Sequence, residues 1–482
     1  MKKSILISAL CFSAAFGQAP QAQQANDFAG VVRKNKAPVS NEILRVKFSK
    51  PVEGKLKNGM TLLTLEDHRS PTIQVEIAMP ASSLNDPKDL AGISSATGEL
   101  WRSGTKTKTA VQIAQTLAEL GASLNANVGE RYAYIRFSTL SENLDPLLAL
   151  VSDVMFNPSF PQDELDKWKN RQLSQLQQVR AQPAFLGQER FLAVMYPNDN
   201  RSLVLPSAES IKKITREALL DYYQKNFRPE GGRVAVSGDI APKVIAAKLD
   251  KLLGEWKGAG GKPADLPLPG PIAAKKVYLV NRPNSVQTNI YIGNLAIDRK
   301  SPDYIAVQVM NRVLGSGPAS RLFRNIREEK GYTYGINSGF SSSMFSNYFV
   351  LSTSVRNEVT GPAMDEIMKE LRTIRDVLVP ADELEGAKRA LVASFALSTE
   401  SPSTALNNAT TVRDYGFPAD YWDTYPEKIA AVTAEDVQRV ARKYIPLDNS
   451  QIIAVGDGSK LRDVLAKFGP IEEWDAEGKR VR

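Results

Sequence analysis

The sequence predicts an α+β protein of two homologous domains, each a mainly antiparallel sheet packed against helices. Three observations carry that prediction. At 482 residues, 43% hydrophobic and 24% charged, the chain is too long for one core and ordinary in globular composition. It also echoes itself. Ile214-Thr215-Arg216-Glu217-Ala218 leads to Val236-Ser237-Gly238-Asp239, and Val432-Thr433-Ala434-Glu435-Asp436 leads to Ala454-Val455-Gly456-Asp457, at one offset of 218 positions. Phe160-Pro161-Gln162-Asp163-Glu164-Leu165 matches Val379-Pro380-Ala381-Asp382-Glu383-Leu384 at 219, as a duplicated domain requires. Finally, strand patterns come early in each half and long helical patterns later, which suits antiparallel sheets rather than alternating strand and helix.

Residues 1–17 read as a secretory signal: Lys2 and Lys3, a short apolar run from Ile5 to Phe16, and the small-residue site Ala15-Phe16-Gly17, with cleavage near Gly17. That run is too short to span a bilayer and nothing later approaches its length, so the mature chain is expected to be periplasmic or secreted, without a transmembrane segment. Cys11 lies inside the signal, where Ser8-Ala9-Leu10 before it is a poor match for lipidation. Residues 18–45, rich in Gln, Ala and Asn, read as a flexible leader.

The first domain is expected over 46–255. Ile73, Val75, Ile77 and Met79 alternate, as does the segment Tyr132–Phe137, so both are half-buried strands. Ile113, Leu117 and Leu120 recur at helical spacing before the stop Gly121; Leu144, Leu148, Val151 and Met155 do the same, and Asp163–Gln178 is a long polar-faced helix. Gly and Pro crowd 256–273 too densely for a helix or a central strand, so this is a linker. In the second domain, 274–482, Ser301-Pro302 opens a helix as cap and first residue, with Ile305, Val309 and Val313 on its inner face.

Composition excludes several chemistries. With the signal removed no cysteine remains, which rules out thiol catalysis and thiolate zinc sites. The formal charge of +8 falls by two with Lys2 and Lys3, and the remaining basic residues interleave with acidic ones, so no nucleic-acid surface is expected. The single histidine, His68, sits in a polar turn before Pro71 and reads as a surface or turn-capping residue.

The most informative stretch is Ser320-Arg321-Leu322-Phe323-Arg324-Asn325-Ile326-Arg327-Glu328-Glu329-Lys330-Gly331-Tyr332-Thr333-Tyr334-Gly335. It reads as the end of a basic helix, a glycine stop and a strand, which sets a guanidinium beside a phenol at one corner. The plain alternative is that Arg327 pairs with Glu328 or another carboxylate and that Tyr334 is an ordinary strand aromatic. Arg321, Arg324 and Tyr332 read as solvated or packing residues. Glu328 and Glu329 point about 100° apart on a helix and read as solvated charge.

This stretch, the opening strand Leu56-Lys57-Asn58-Gly59-Met60 and the turn Asp67-His68-Arg69-Ser70-Pro71 resemble the pitrilysin (insulinase) family of zinc peptidases, the inverzincins, from about Val46 to Phe468. The resemblance implies that the two domains form half of a clamshell, closed by a second half around a peptide chamber. Catalytic members of the family carry His-x-x-Glu-His on the first long helix. The matching stretch, Gly92-Ile93-Ser94-Ser95-Ala96-Thr97-Gly98-Glu99, puts Ser95 and Glu99 at the histidine positions and Gly98 at the general base, while the third ligand's position falls near Gln175. No metal site is therefore expected in this chain. The family's second domain supplies an arginine and, seven residues on, a tyrosine, and Arg327 and Tyr334 match both. By this resemblance the chain is a zinc-free subunit of an exported heteromeric peptidase, inactive alone. A zinc-bearing homologous partner would hold the metal and the general base, while Arg327 and Tyr334 grip peptide substrates and stabilise the oxyanion in trans. The alternative is a non-catalytic scaffold or peptide-binding protein of the same fold.

Overall fold

A computed structural model describes residues 49–481 apart from 259, 260, 262, 263 and 342. The expected signal over 1–17, the leader over 18–45 and Cys11 lie outside the described residues. In chain order the first half gives strands β1 (Val52–Lys55), β2 (Thr61–Glu66), β3 (Thr72–Pro80), β4 (Ser123–Val128), β5 (Tyr132–Leu140) and β6 (Arg233–Gly238). Its helices are α1 (Ile93–Leu100), α2 (Ala110–Glu119), α3 (Leu144–Phe156), α4 (Gln162–Arg180), α5 (Pro183–Met195), α6 (Ala208–Lys213), α7 (Arg216–Asn226) and α8 (Pro242–Leu253). The second half gives β7 (Lys276–Asn281), β8 (Gln287–Leu295), β9 (Thr333–Phe340), β10 (Tyr348–Arg356), β11 (Gln451–Gly456) and β12 (Ile471–Trp474). Its helices are α9 (Tyr304–Leu314), a π-helical turn Phe323–Glu329, α10 (Thr360–Asp376), α11 (Ala381–Ser398), α12 (Pro402–Tyr415), α13 (Tyr425–Ala430), α14 (Ala434–Tyr444) and α15 (Gly458–Ala466).

The strands form two six-stranded sheets, in the orders β1-β2-β6-β3-β5-β4 and β12-β7-β11-β8-β10-β9. Most pairs are antiparallel, so the predicted two-domain α+β class is what the chain adopts. The parallel pairs are β2·β6, β7·β11 and β7·β12. Five strands of one sheet correspond in place and order to five of the other; the edges differ, β1 being the hairpin partner of β2 and β12 returning from the far end of the chain.

Alternation along the strands divides their side chains between two layers. Ile73, Val75, Ile77 and Met79 of β3 face the helical layer of their own half, as do Ile290 and Ile292 of β8. The opposite faces are covered by helices lent from the other half. Helix α5 lies on β8 and β11, where Phe185, Leu186, Phe191 and Met195 bury themselves among Val280, Leu295, Ile453 and Val455. Gly187 makes the approach possible, because a Cβ there would sit 2.3 Å from the Tyr291 ring, whose hydroxyl donates to the Ala184 carbonyl at 2.9 Å. Helix α12 answers on the first sheet, but only Ala405 and Leu406 meet Leu63, Leu65 and Ala235. Cavities of about 330 and 450 Å³ flank it on either side. Its end is held by polar contacts: the buried Arg233 reaches Asp414 at 3.2 Å, Tyr132 donates to the same carboxylate at 3.1 Å, and Arg413 donates to Glu53 and Thr61 at 2.8 Å each.

Two local expectations need correction. Leu56-Lys57-Asn58-Gly59-Met60 is the turn between β1 and β2 rather than a strand, because Gly59 takes φ +86° and the Asn58 side chain accepts from the Met60 amide. Helix α9 starts at Tyr304, after a turn through Ser301 and Pro302. The Ser301 hydroxyl and carbonyl accept from the amides of Asp303 and Tyr304, closing that turn before the helix proper, and Ile305 is only half-buried while Val307 and Met310 join Val309 and Val313 inside. Phe191→Ala should cost about 3–5 kcal/mol in urea unfolding, whereas Leu406→Ala, beside pre-existing space, should cost about 2 or less. Equal losses would contradict the asymmetry between the two lent helices.

Candidate functional site

The corner between the π-helical turn and β9 is built by two one-residue irregularities. The first is in the helix: Lys330 N–H donates to Asn325 C=O and Tyr332 N–H to Ile326 C=O, each at 3.0 Å and each longer than an α-helical step. Gly331 then reverses the chain at φ +63°, a conformation that costs a residue with a Cβ. The second lies in the strand, where Ile336 pairs with Thr353 and Thr333 with Val355, so Tyr334 and Gly335 face the single residue Ser354. This is a β-bulge, a device that re-aims side chains. The Thr333 hydroxyl pins it by donating to Ser354 C=O at 2.7 Å and accepting from Gly335 N–H at 3.1 Å.

Tyr334 consequently stands 91% exposed, and the Arg327 guanidinium carbon lies 5.2 Å from its ring centroid and 4.5 Å from that of Phe323. Arg327 is exposed and has no carboxylate partner among the described residues, so the expected alternative of pairing with Glu328 is not what the fold adopts. Its neighbours are tied. Arg321 makes a two-pronged bond to Glu383 at 2.9 and 2.7 Å, Arg324 reaches the same carboxylate at 3.3 Å, and Asn325 donates to Glu366 and Glu370. Tyr332 packs on the second core, and Glu328 and Glu329 are exposed. Cation–π stacking on two rings orients the free guanidinium without consuming its donors.

The first half presents a second feature. Ser95 and Glu99, one helical turn apart on α1, line a cavity of about 400 Å³ with Gln172 and Gln175 of α4. The Glu99 carboxylate accepts from Trp168 Nε1 at 3.0 Å and from the Ser95 hydroxyl at 3.4 Å. Gly98 points elsewhere: a Cβ on it would sit 2.9 Å from the Asn127 and Val128 backbone of β4. The residues present do not fit zinc. The histidine positions hold a hydroxyl and an occupied carboxylate, the third position an amide, and the general-base position has no room for a side chain. Among the described residues no cluster of three His, Cys, Asp or Glu side chains could hold a metal.

His68 bridges two carboxylates, Asp239 at 2.5 Å through Nδ1 and Glu66 at 3.0 Å through Nε2, which raises its pKa and ties the turn to the end of β6. Sequence reasoning overlooked Asp86, whose Oδ2 accepts from the amides of Gly92 and Ser94 and from the Ser94 hydroxyl, capping α1 from outside. Burial pushes this carboxyl up to about 6 against those three bonds. Its place ahead of a glycine-led helix was the available signal, but the distance from helix start to cap hid it.

Against known proteins, residues 61–206 match the family model described as Insulinase (Peptidase family M16), and residues 213–391 match that of the Peptidase M16 inactive domain. The chain is 23% identical over 352 residues to "Uncharacterized zinc protease YmxG" of Bacillus subtilis, covering 73% of this chain and 85% of that one. It is 24% identical over 404 residues to "Non-peptidase homolog YmxG" of Helicobacter pylori, covering 82% and 91%. Among solved structures, the peptidase M16 inactive domain from Pseudomonas fluorescens superposes with a TM-score of 0.77 at 24% identity, over 84% of this chain and 98% of that one.

Two outcomes follow from the geometry. Restoring the motif by Ser95→His, Gly98→Glu and Glu99→His together should give no stoichiometric zinc by metal analysis and should cost about 3 kcal/mol or more of stability, because β4 must move. Stability should also depend on Asp86. Its folded pKa is raised, so its contribution is fully present below the ordinary value of 3.8 and lost as pH rises through about 6. Relative to Asp86→Asn, the native chain should lose roughly 2–3 kcal/mol between pH 4 and 7 in urea titrations; parallel curves would show that Asp86 titrates normally.

Proposed function

Since the chain belongs to the insulinase family, peptidase family M16, as a non-catalytic member without a zinc motif of its own, we propose that it is the zinc-free subunit of an exported heteromeric metallopeptidase. In this reading a homologous partner holds the zinc and the general base. This chain closes the other half of a clamshell and offers Arg327 and Tyr334 to the peptide under attack. We further assign its two units to residues 46–255 and 274–482, joined by 256–273.

The observation that carries the reading is the outward pair itself. Arg327 keeps its donors free and pre-oriented between two rings, and Tyr334 is held 91% exposed by a bulge. An exposed phenol and a guanidinium that touches only rings add little to the fold, and irregular helix turns and bulges concentrate at functional sites. Chemically, the Arg327 fork suits a peptide carbonyl, and the Tyr334 hydroxyl can donate to an oxygen that gains negative charge during acyl transfer. Both are donors aimed at an acceptor, which is what a site short of its own nucleophile can supply to a neighbour's.

Affinity purification of the mature chain from its own periplasm, with mass spectrometry of what co-elutes, tests the partnership. A stoichiometric homologue bearing His-x-x-Glu-His is the expected result. With that partner, Arg327→Ala and Tyr334→Phe should each lower peptidase activity by about 10²-fold, while the isolated chain shows none. Full activity in both variants would refute the assigned role, and recovery of this chain alone would favour a scaffold or peptide-binding protein.

A further inference from the structure

The bulge beside Tyr334 is a local device that the sheet does not require. The corresponding edge pair of the first sheet, β4 and β5, runs from Ser123↔Ser138 to Val128↔Ala133 in unbroken register, whereas β9 and β10 slip between Thr353 and Val355. A slip takes backbone groups out of the ladder, and they turn to other partners. Three of them turn to side chains here: the N–H and C=O of Gly335 and the C=O of Ser354. Two hydroxyls serve all three. Thr333 Oγ1 accepts from Gly335 N–H at 3.1 Å and lies 2.7 Å from the Ser354 carbonyl oxygen and 2.9 Å from that of Gly335. Thr353 Oγ1 lies 2.9 Å from the Gly335 carbonyl oxygen and 3.0 Å from Thr333 Oγ1. Each hydroxyl has one proton. With Thr333 donating along its shorter contact to Ser354, the Gly335 carbonyl depends on Thr353.

We propose that Thr353 is a positioning residue: its hydroxyl holds Gly335 against β10 and thereby fixes the direction in which Tyr334, the residue before it, projects beside Arg327. Thr353 is 7% exposed and acts only through Gly335. Its own place on β10 gives an independent reason. Phe349, Leu351 and Val355, which share its face by alternation, all belong to the second core, as does Ile336 opposite it. A hydroxyl in such a row costs free energy unless it is hydrogen-bonded, and valine would have the same shape without that cost. The polar atom therefore answers to the bulge and not to the packing. Without it, Thr333 has one proton for two carbonyls on opposite strands, and one side of the bulge is released. The placement of Tyr334 stands on this geometry alone; its consequence for catalysis rests on the reading of this chain as a peptidase subunit.

The first arm of the test uses the purified single chain, so it is independent of whether a partner is found. Hydrogen exchange is followed by mass spectrometry over the segment Thr333–Ile336. Thr353→Val, which keeps the shape and loses the hydroxyl, should speed exchange there by about fivefold or more, the net worth of one hydrogen bond. The helices packed on the second sheet should keep their native rates, and Thr353→Ser should restore slow exchange in the segment. Native rates in Thr353→Val, or faster exchange across the whole second half, would overturn the proposal. The second arm uses the complex with the zinc-bearing partner and a quenched fluorogenic peptide that it cleaves. Thr353→Val should lower kcat by about tenfold with KM unchanged, as a misplaced donor does, and Thr353→Ser should recover it. In a Tyr334→Phe background the same substitution should cost nothing more, because it acts through the phenol. An equal further loss in that background would show general support of the fold and would also overturn the proposal. Absence of any active complex would refute the peptidase reading and leave the exchange arm to decide on Thr353.

Discussion

The exchange of one helix in each direction is the constraint on which the rest depends. A sheet with one face on its own helices and the other bare would expose a broad apolar surface. Each half avoids this by borrowing, α5 lying on the second sheet and α12 on the first. The exchange is unequal. Helix α5 is seated by aromatic and aliphatic burial, so the second sheet is apolar on both faces. Helix α12 is seated by ion pairs at one end and bordered by cavities along its length. Ionic anchoring in a partly buried place adds little net stability, so α12 is held by less apolar burial than α5.

The two halves treat their helix-to-strand contacts differently. In the first, Gly98 lets β4 approach α1 until the backbone occupies the space a side chain would need, and Glu99 accepts from Trp168. Packing of this kind resists single substitutions. In the second half the corner before β9 is irregular, an overwide helical turn against a bulged edge strand, and it leaves Arg327 and Tyr334 exposed.

Much of this was legible from the chain. Alternation in Ile73–Met79 and helical spacing in Leu144–Met155 located β3 and α3 because both are half-buried elements whose pattern is set by one core. Conserved offsets between the halves foretold equivalent sheets, since α4 and α11, and β6 and β11, keep those offsets in the fold. Local turn chemistry misled twice. Asn58-Gly59 stands within a strand-like run, yet that dipeptide favours a turn, and Ser301 closes a turn of its own before α9 begins. Helix exchange was invisible, because the apolar face of α5 looks the same whichever sheet it meets. The bulge at Tyr334 was invisible too, being a matter of register between strands rather than of composition.

Glu99 and Arg327 differ in how far the fold uses them. The Glu99 carboxylate is occupied by Trp168 and Ser95, whereas the Arg327 guanidinium touches two rings and has no carboxylate partner among the described residues. A guanidinium and a phenol held outward in this way attract acceptors, and an extended peptide carries such acceptors along its backbone. Pairing Arg327 with a nearby carboxylate would be neutral or stabilising for the fold, so the stability of the fold alone does not explain its free donors. Two donors held outward by separate devices, a π-helical turn and a β-bulge, are therefore the physical basis of the role proposed for this corner.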